Sequence, residues 1–469
     1  MCDAAGKGQG AASSFLLFVL YELDRLLLVP LLHCCVVLGI IWGAVAGTLY
    51  HIWSRLSHRA QSSKAEDAEL ERRLAAVRGW TCIMTGGCSG IGCELVRYLV
   101  KAGAHVWILD INKAKGEEMA ESFGSSSESG GSARFVYVDL GDLKSIHCAA
   151  DHVLRECGAI HLLLNNAGLG NWHARRKTKD GFSATFGINF IGHYLLTRLL
   201  YDRMCATPDS RIVNVGSWYH RMGGPAWLHA MMADHWGDVD YTKDEWEGAL
   251  DEHKKANLRR HLDGALAGWY RSYVYGDSKL AMILFAAQLR LRRAEAKRAG
   301  APNTPPMAFA ASPGSVVTPI FQSAGYHPMR AIYLVADLFM TTPSRGAIPS
   351  LFAATQPLTD ANNGPPGIDI DTPPLYYAPY LHAPTPFSPA HLGSRAAAWL
   401  GGGNKQCSEW VERAGAYVGY RLSAVWYLVQ EISGPHVGAV PWPAALPPYW
   451  MTMSGVLWEW AEGCVREHL

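Results

Sequence analysis

The chain has 469 residues, 49% of them apolar, enough to bury a core spread over one large domain or two to three ordinary ones. Its 42 basic residues balance 41 acidic ones, so nothing favours a polyanionic partner and no nucleic acid is expected. Eleven scattered cysteines with no CxxC pair exclude a disulfide framework and a zinc site, leaving reduced thiols in a cytosol-like compartment and no metal.

Residues 1–25 form an N-terminal tail. From Leu26 to Tyr50 no Asp, Glu, Lys or Arg occurs. A helix of that length, at ~1.5 Å per residue, reaches roughly 37 Å and can cross a hydrocarbon core of ~30 Å. A transmembrane anchor is therefore expected over 26–53. A cleaved signal peptide would have a shorter apolar run. Arg55, Arg59 and Lys64 follow the span, against Lys7 and Arg25 before it, a bias toward a cytosolic C-terminal side. A single-pass protein of the endoplasmic reticulum or another internal membrane is the expected setting. Lys64 to Arg78 (KAEDAELERRLAAVR) is charged on most faces and helix-prone, so 54–79 is expected to be a juxtamembrane linker helix.

Beyond residue 80 the pattern changes. Thr81–Thr85, His105–Leu109, Arg134–Val138, Ile160–Leu164, Arg211–Val215 and Met307–Ala311 are short β-rich runs separated by helix-length material. That alternation predicts an α/β fold, a Rossmann-type doubly wound parallel sheet covered on both faces. Two stretches, about 218–268 and 388–453, exceed such a fold. Rich in Trp, His, Tyr and Pro, they are expected as insertions capping the sheet of one domain, 80–469.

Thr85-Gly86-Gly87-Cys88-Ser89-Gly90-Ile91-Gly92 lies between a predicted strand and a predicted helix. Glycines let the backbone turn tightly beside a pyrophosphate, and the helix N-terminus offers free N–H groups. Asp110 ends the next strand, where a carboxylate accepts from the adenosine ribose and repels a 2′-phosphate. With no Lys or Arg at Cys88, Ser89 or Ile111, NAD is favoured over NADP. Tyr275-Gly-Asp-Ser-Lys279 puts a phenol and an ammonium on one helix face, and a nearby cation lowers a phenol's pKa. With 20 tyrosines, such a pair means little alone. Its weight comes from following Arg211-Ile-Val-Asn-Val-Gly-Ser217, a strand that ends in a hydroxyl.

Thr85–Gly92, Asn165-Asn166-Ala167-Gly168, Ser217, Tyr275 with Lys279, and Pro313-Gly314-Ser315-Val316-Val317-Thr318 stand in the order seen in classical short-chain dehydrogenases/reductases. Ile188 to Thr197 (INFIGHYLLT), Lys279 to Phe285, Pro343 to Ala347 and the late Leu457-Trp458-Glu459 resemble the retinol-dehydrogenase-like branch. The resemblance runs from about Trp80 to Leu469. It implies that Tyr275 exchanges a proton with the substrate oxygen, that Lys279 lowers its pKa and binds the nicotinamide ribose, and that Ser217 steadies the developing alkoxide. Asn189 would hold the water through which the proton leaves. Gly86, Cys88, Ser89, Gly90, Ile91 and Gly92 would cradle the pyrophosphate, with Asp110 on the ribose. Asp139 and Leu140 would flank the adenine, Asn166, Ala167 and Gly168 line the trough, and Pro313, Gly314, Val316 and Thr318 meet the nicotinamide end.

Plainer readings stand beside these. Asp139 is also a candidate cap for the helix near Leu143, and His193 a packed or surface residue. Gly216 replaces a common second serine, and Ser217 lies far from Tyr275 for this family, so the intervening residues are expected to loop out at the substrate mouth. The anchor and apolar additions point to a lipophilic alcohol or carbonyl substrate of retinoid, steroid or fatty-aldehyde kind, with the bilayer as partner. A homodimer is compatible with the pattern. Competing readings are a carbon–carbon double-bond reductase of the protochlorophyllide-reductase kind and a catalytically idle cofactor-binding scaffold.

Overall fold

In a sheet covered on both faces, successive side chains of every strand must be apolar in both directions. The computed structural model follows this in its central strands, while the edge strand Ser132–Tyr137 mixes buried with exposed residues. The structure describes residues 60–124, 130–170, 176–217, 219–220, 267–314, 316, 318, 342–358, 376–380, 436–440 and 448–469. Six parallel strands form where the sequence marks them: β1 Thr81–Thr85, β2 His105–Asp110, β3 Ser132–Tyr137, β4 Leu162–Asn165, β5 Arg211–Val215 and β6 Met307–Ala311. Along β1, Ile83 faces one core while Cys82 and Met84 face the other, and Leu163 splits from Leu162 and Leu164 in the same way on β4.

Two further strands went unread in the sequence. Tyr376–Tyr380 (β7) adds parallel to β6, and His436–Val440 (β8) pairs antiparallel with β7. The β8 strand falls within the expected second insertion, so part of that segment extends the sheet. Pro379 in β7 and Gly438 in β8 weaken the local strand signal. The sheet order is β3-β2-β1-β4-β5-β6-β7-β8, so strand succession reverses between β1 and β4. Such a switch point opens a crevice at the carboxyl ends of the strands, where α/β folds bind ligands.

One face of the sheet carries α1 (Ala60–Leu74), α2 (Gly90–Lys101), α3 (Lys113–Gly124) and α7 (Pro343–Ala354). The other carries α4 (Leu143–Glu156), α5 (Gly192–Cys205), α6 (Ala267–Arg298) and α8 (Pro448–Val465). The expected linker helix exists as α1 but is not a free spacer. Leu70, Leu74 and Val77 are buried in the core beside α7. The Arg73 guanidinium lies 4.7 Å over the Phe352 ring, and Asp67 meets Arg345 at 3.6 Å. A charged helix thus docks through two leucines one turn apart. Helix α8 is pinned to the opposite face: Glu462 takes both Arg198 Nε (2.9 Å) and Nη2 (2.8 Å), together with the Tyr194 hydroxyl at 2.6 Å.

The anchor expected over 26–53 and nearly all of both insertions lie outside the described residues. Among the described residues no helix is long and apolar enough to cross a membrane.

Candidate active site

Every predicted site residue lies on α6 or at the carboxyl-terminal side of the strands. At the β1–α2 corner Gly86 adopts φ +67°, and a Cβ there would sit 2.8 Å from the Ala167 Cα. A Cβ on Gly92 would sit 2.0 Å from the Gly86 carbonyl oxygen. Side chains at either point would fill the cradle. Ser89 caps α2 in an extended conformation without a side-chain hydrogen bond, so the first N–H groups of the helix face the corner with no side chain claiming them. Asp110 Oδ2 accepts from Cys88 N at 3.0 Å and its Oδ1 from Asn112 N at 3.0 Å. The carboxylate is therefore fixed beside the turn. Burial and the Asp110 carboxylate push the Cys88 thiol up to about 12, so no thiolate competes for that position. These groups fit a dinucleotide.

Further along the crevice the fit to prediction is uneven. Asp139 does not cap α4. Its Oδ1 accepts from Gly141 N at 2.8 Å, and the cap is Asp142, which accepts from the amides of Lys144 (3.1 Å) and Ser145 (3.3 Å). Asp142 stands immediately before Leu143, which a strict N-cap reading would have found. Leu140 is turned into the core against Gly192 and Ile146, while Ile111 (60% exposed) and Tyr137 (49%) are the large apolar side chains open at that end. Tyr137 was not singled out in the sequence. The Asn166 side chain ties the trough to the glycine corner through the carbonyls of Thr85 (2.9 Å) and Gly86 (3.2 Å). Val316 packs at the Gly346 position of α7, close to Ile91, with Pro313 and Gly314 partly open above β6 and Thr318 buried.

The catalytic candidates converge. Ser217 follows β5, and despite the long interval in sequence its hydroxyl comes near enough to the Tyr275 phenol to favour the phenolate. Tyr219 N donates to Ser217 Oγ at 3.3 Å, which leaves the hydroxyl proton free to turn toward the phenol. The Tyr219 ring meets the Tyr275 ring edge-on, with centroids 5.5 Å apart. One helical turn on, Lys279 is buried, and its Nζ donates to the Val215 carbonyl at 2.8 Å. Burial brings its pKa down to about 8.

Lys279 is not among the groups that shift Tyr275 in this arrangement. Burial pushes Tyr275 up to about 12, and the opposing pull comes from Ser217. Nζ lies 5.8 Å from the ring centroid and donates to the Val215 carbonyl.

Asn189 is held from several sides. It sits in a π-helical turn, Gly187–Ile191, that leads into α5. Its Nδ2 donates to Leu169 O (3.0 Å) and Ser278 Oγ (2.9 Å), and its Oδ1 accepts from Leu169 N at 2.7 Å. Both amide hydrogens are engaged, and one Oδ1 lone pair remains. That oxygen and Lys279 Nζ flank a common point beside Gly168, at 3.2 and 3.4 Å from where a Cβ would stand.

Residues 81–229 match the short chain dehydrogenase family model. Mouse retinol dehydrogenase 12 is 30% identical over 278 residues, which cover 59% of this chain and 74% of the relative. Mouse polyprenol dehydrogenase is 32% identical over 61% of this chain and 74% of its own length. Its human counterpart is 28% identical over 60% and 74%. A crevice at a switch point, a glycine corner that fits a dinucleotide and relatives of this kind lead to one assignment: the chain belongs to the short-chain dehydrogenase/reductase family, in its retinol-dehydrogenase-like branch, and is an NAD(P)-dependent oxidoreductase of alcohols.

Proposed function

We propose that the protein is a membrane-anchored dehydrogenase that moves a hydride between NAD and a lipophilic alcohol or carbonyl compound, of retinoid, steroid, fatty-aldehyde or polyprenol kind. The observation that carries the reading is the approach of the Ser217 hydroxyl to the Tyr275 phenol, with the buried Lys279 one turn away on α6. When bound, the nicotinamide supplies the hydride acceptor or donor.

Tyr275 takes the proton from the alcohol oxygen in oxidation and returns it in reduction. Ser217 donates toward the same oxygen, where charge develops. Lys279 keeps two Nζ protons beyond the one given to Val215 O, available to ribose hydroxyls and to a water beside Asn189 Oδ1. That water would be the proton's way out. Pro313, Gly314, Val316 and Thr318 border the nicotinamide end, and Asp139 stands near the adenine.

NAD is preferred because Asp110 is held by two backbone amides and cannot swing away from a 2′-phosphate. The lipophilic class rests on the uncharged run Leu26 to Tyr50, the aromatic segments around 218–268 and 388–453, and relatives named for retinol and polyprenol. The anchor makes the bilayer a partner and turns the catalytic domain to the cytosol.

The test is a panel on detergent-solubilised full chain: all-trans-retinol, a polyprenol, a hydroxysteroid and ethanol, each with NAD+ and with NADP+, followed by absorbance of the reduced nicotinamide. Turnover of the long-chain alcohols, faster with NAD+ and negligible for ethanol, is expected. Cofactor binding without turnover of any alcohol would leave a scaffold.

A further inference from the structure

His193 stands four residues after Asn189 on α5, fully buried, and its two ring nitrogens face opposite parts of the site. Nδ1 lies 2.9 Å from the Asn189 carbonyl oxygen and Nε2 lies 2.8 Å from Thr85 Oγ1. A carbonyl can accept but not donate, so Nδ1 carries the hydrogen. In a neutral ring Nε2 is then an acceptor, and the Thr85 hydroxyl points its proton there in preference to the Leu164 carbonyl at 3.3 Å. Burial holds the ring neutral, with a pKa down to about 4, and the nearby Lys279 charge acts in the same direction.

With its proton so directed, Thr85 Oγ1 offers lone pairs to the amides of Asn166 (2.9 Å) and Ala167 (3.0 Å). These are the residues that close over Gly86. At the other end the Asn189 carbonyl belongs to the π-helical turn whose side chain clamps Leu169 and Ser278.

We propose that His193 is a positioning residue that joins the cofactor trough to the proton-transfer corner. Through Thr85 it sets the 165–168 backbone over the glycine turn, and through the Asn189 carbonyl it fixes the turn that aims Oδ1 toward Lys279. The proposal rests on the roles given above to Asn189 and Lys279.

Each half of the bridge has its own mimic. In His193→Asn the amide keeps a donor near the Nδ1 position but cannot reach Thr85. In His193→Gln the amide oxygen reaches the Nε2 position but the donor to Asn189 O is lost. Losing one buried hydrogen bond of this kind corresponds to about tenfold in an equilibrium or rate constant. NADH dissociation constants, read by fluorescence of the bound cofactor on detergent-solubilised full chain, are therefore expected to rise about tenfold in His193→Asn and by less than about threefold in His193→Gln. With retinol at saturating NAD+, kcat is expected to fall more in His193→Gln than in His193→Asn.

Thr85→Val, nearly isosteric, should repeat the affinity loss, and adding His193→Asn to it should cost little more, since partners in one network are not additive. The proposal is overturned if Thr85→Val binds NADH within about twofold of the parent, if the double variant is additive, or if the Asn and Gln variants weaken binding equally. The affinity arms need no alcohol. Failure of the alcohol-oxidation reading shows instead in the parent protein, as NADH binding without turnover.

Discussion

At the β1–α2 corner the working groups are backbone. Amides of a helix start lie open, two glycine positions leave no room for a Cβ, and one carboxylate is held by two more amides. At the β5–α6 corner they are side chains, a hydroxyl, a phenol and an ammonium gathered from positions far apart in sequence, with the phenol and ammonium pKa values moved by burial. A site made of backbone tolerates almost any side chain except one that intrudes, whereas a site made of buried side chains depends on each functional group. The first should fail by steric exclusion and the second by loss of chemistry, and that difference can be tested.

The largest effect is expected at the side-chain corner. Tyr275→Phe keeps the ring and removes the exchangeable proton, so kcat/KM should fall about 10³-fold or more while NADH affinity stays near the parent value. Parallel losses of binding and turnover would make the two corners one unit. Next in size is Gly92→Ala. Its methyl would meet the Gly86 carbonyl oxygen at 2.0 Å and the Asn166 amide nitrogen at 2.7 Å, and NADH affinity should drop about 100-fold. Gly158→Ala, with nothing within 4 Å, serves as control. Equal effects of the two alanines would refute steric exclusion.

The smallest effect concerns stability. His193 has a folded pKa of about 4 against 6.5, so the unfolded chain binds the extra proton first and stability falls as pH drops through that window. The loss between pH 7 and pH 5 is about 2 kcal/mol, present in the parent and absent from His193→Gln. Chemical denaturation at the two pH values measures it. An unchanged acid sensitivity in the variant would mean that the ring is hydrated and outside the bridge.

The same contrast explains what could be read from sequence. The glycine corner was legible because the constraint is local: strand, glycines, helix and the carboxylate one strand later all fall within Thr81 to Asp110. β6 was equally clear as a continuous apolar run, and β5 as a short β-rich run despite its Arg211 and Asn214. Ser217, Tyr275 and Lys279 were found from motif order, but their electrostatics were not. Whether Lys279 pulls on the phenol or on Val215 O depends on where β5 ends relative to α6, a tertiary fact. The π-helical turn at Asn189 has no local signature. His193 did leave a trace, a lone polar ring among apolar residues on a helix, yet only its neighbour across the sheet, Thr85, turns that trace into a connection. Charge pattern identified α1 as a helix, but its docking face is just Leu70 and Leu74, too narrow a stripe to stand out among eight charged neighbours in KAEDAELERRLAAVR.

That docked helix has a mechanical consequence. Because Leu70, Leu74 and Arg73 grip the domain beside α7, whatever is fastened ahead of residue 60 connects through a stiff strut, not a slack cord. The strut leads through a tight turn, Ala75–Val77, into β1 and the glycine corner. The direction in which α1 leaves the domain, relative to the crevice, is thus dictated by the packing of a few side chains.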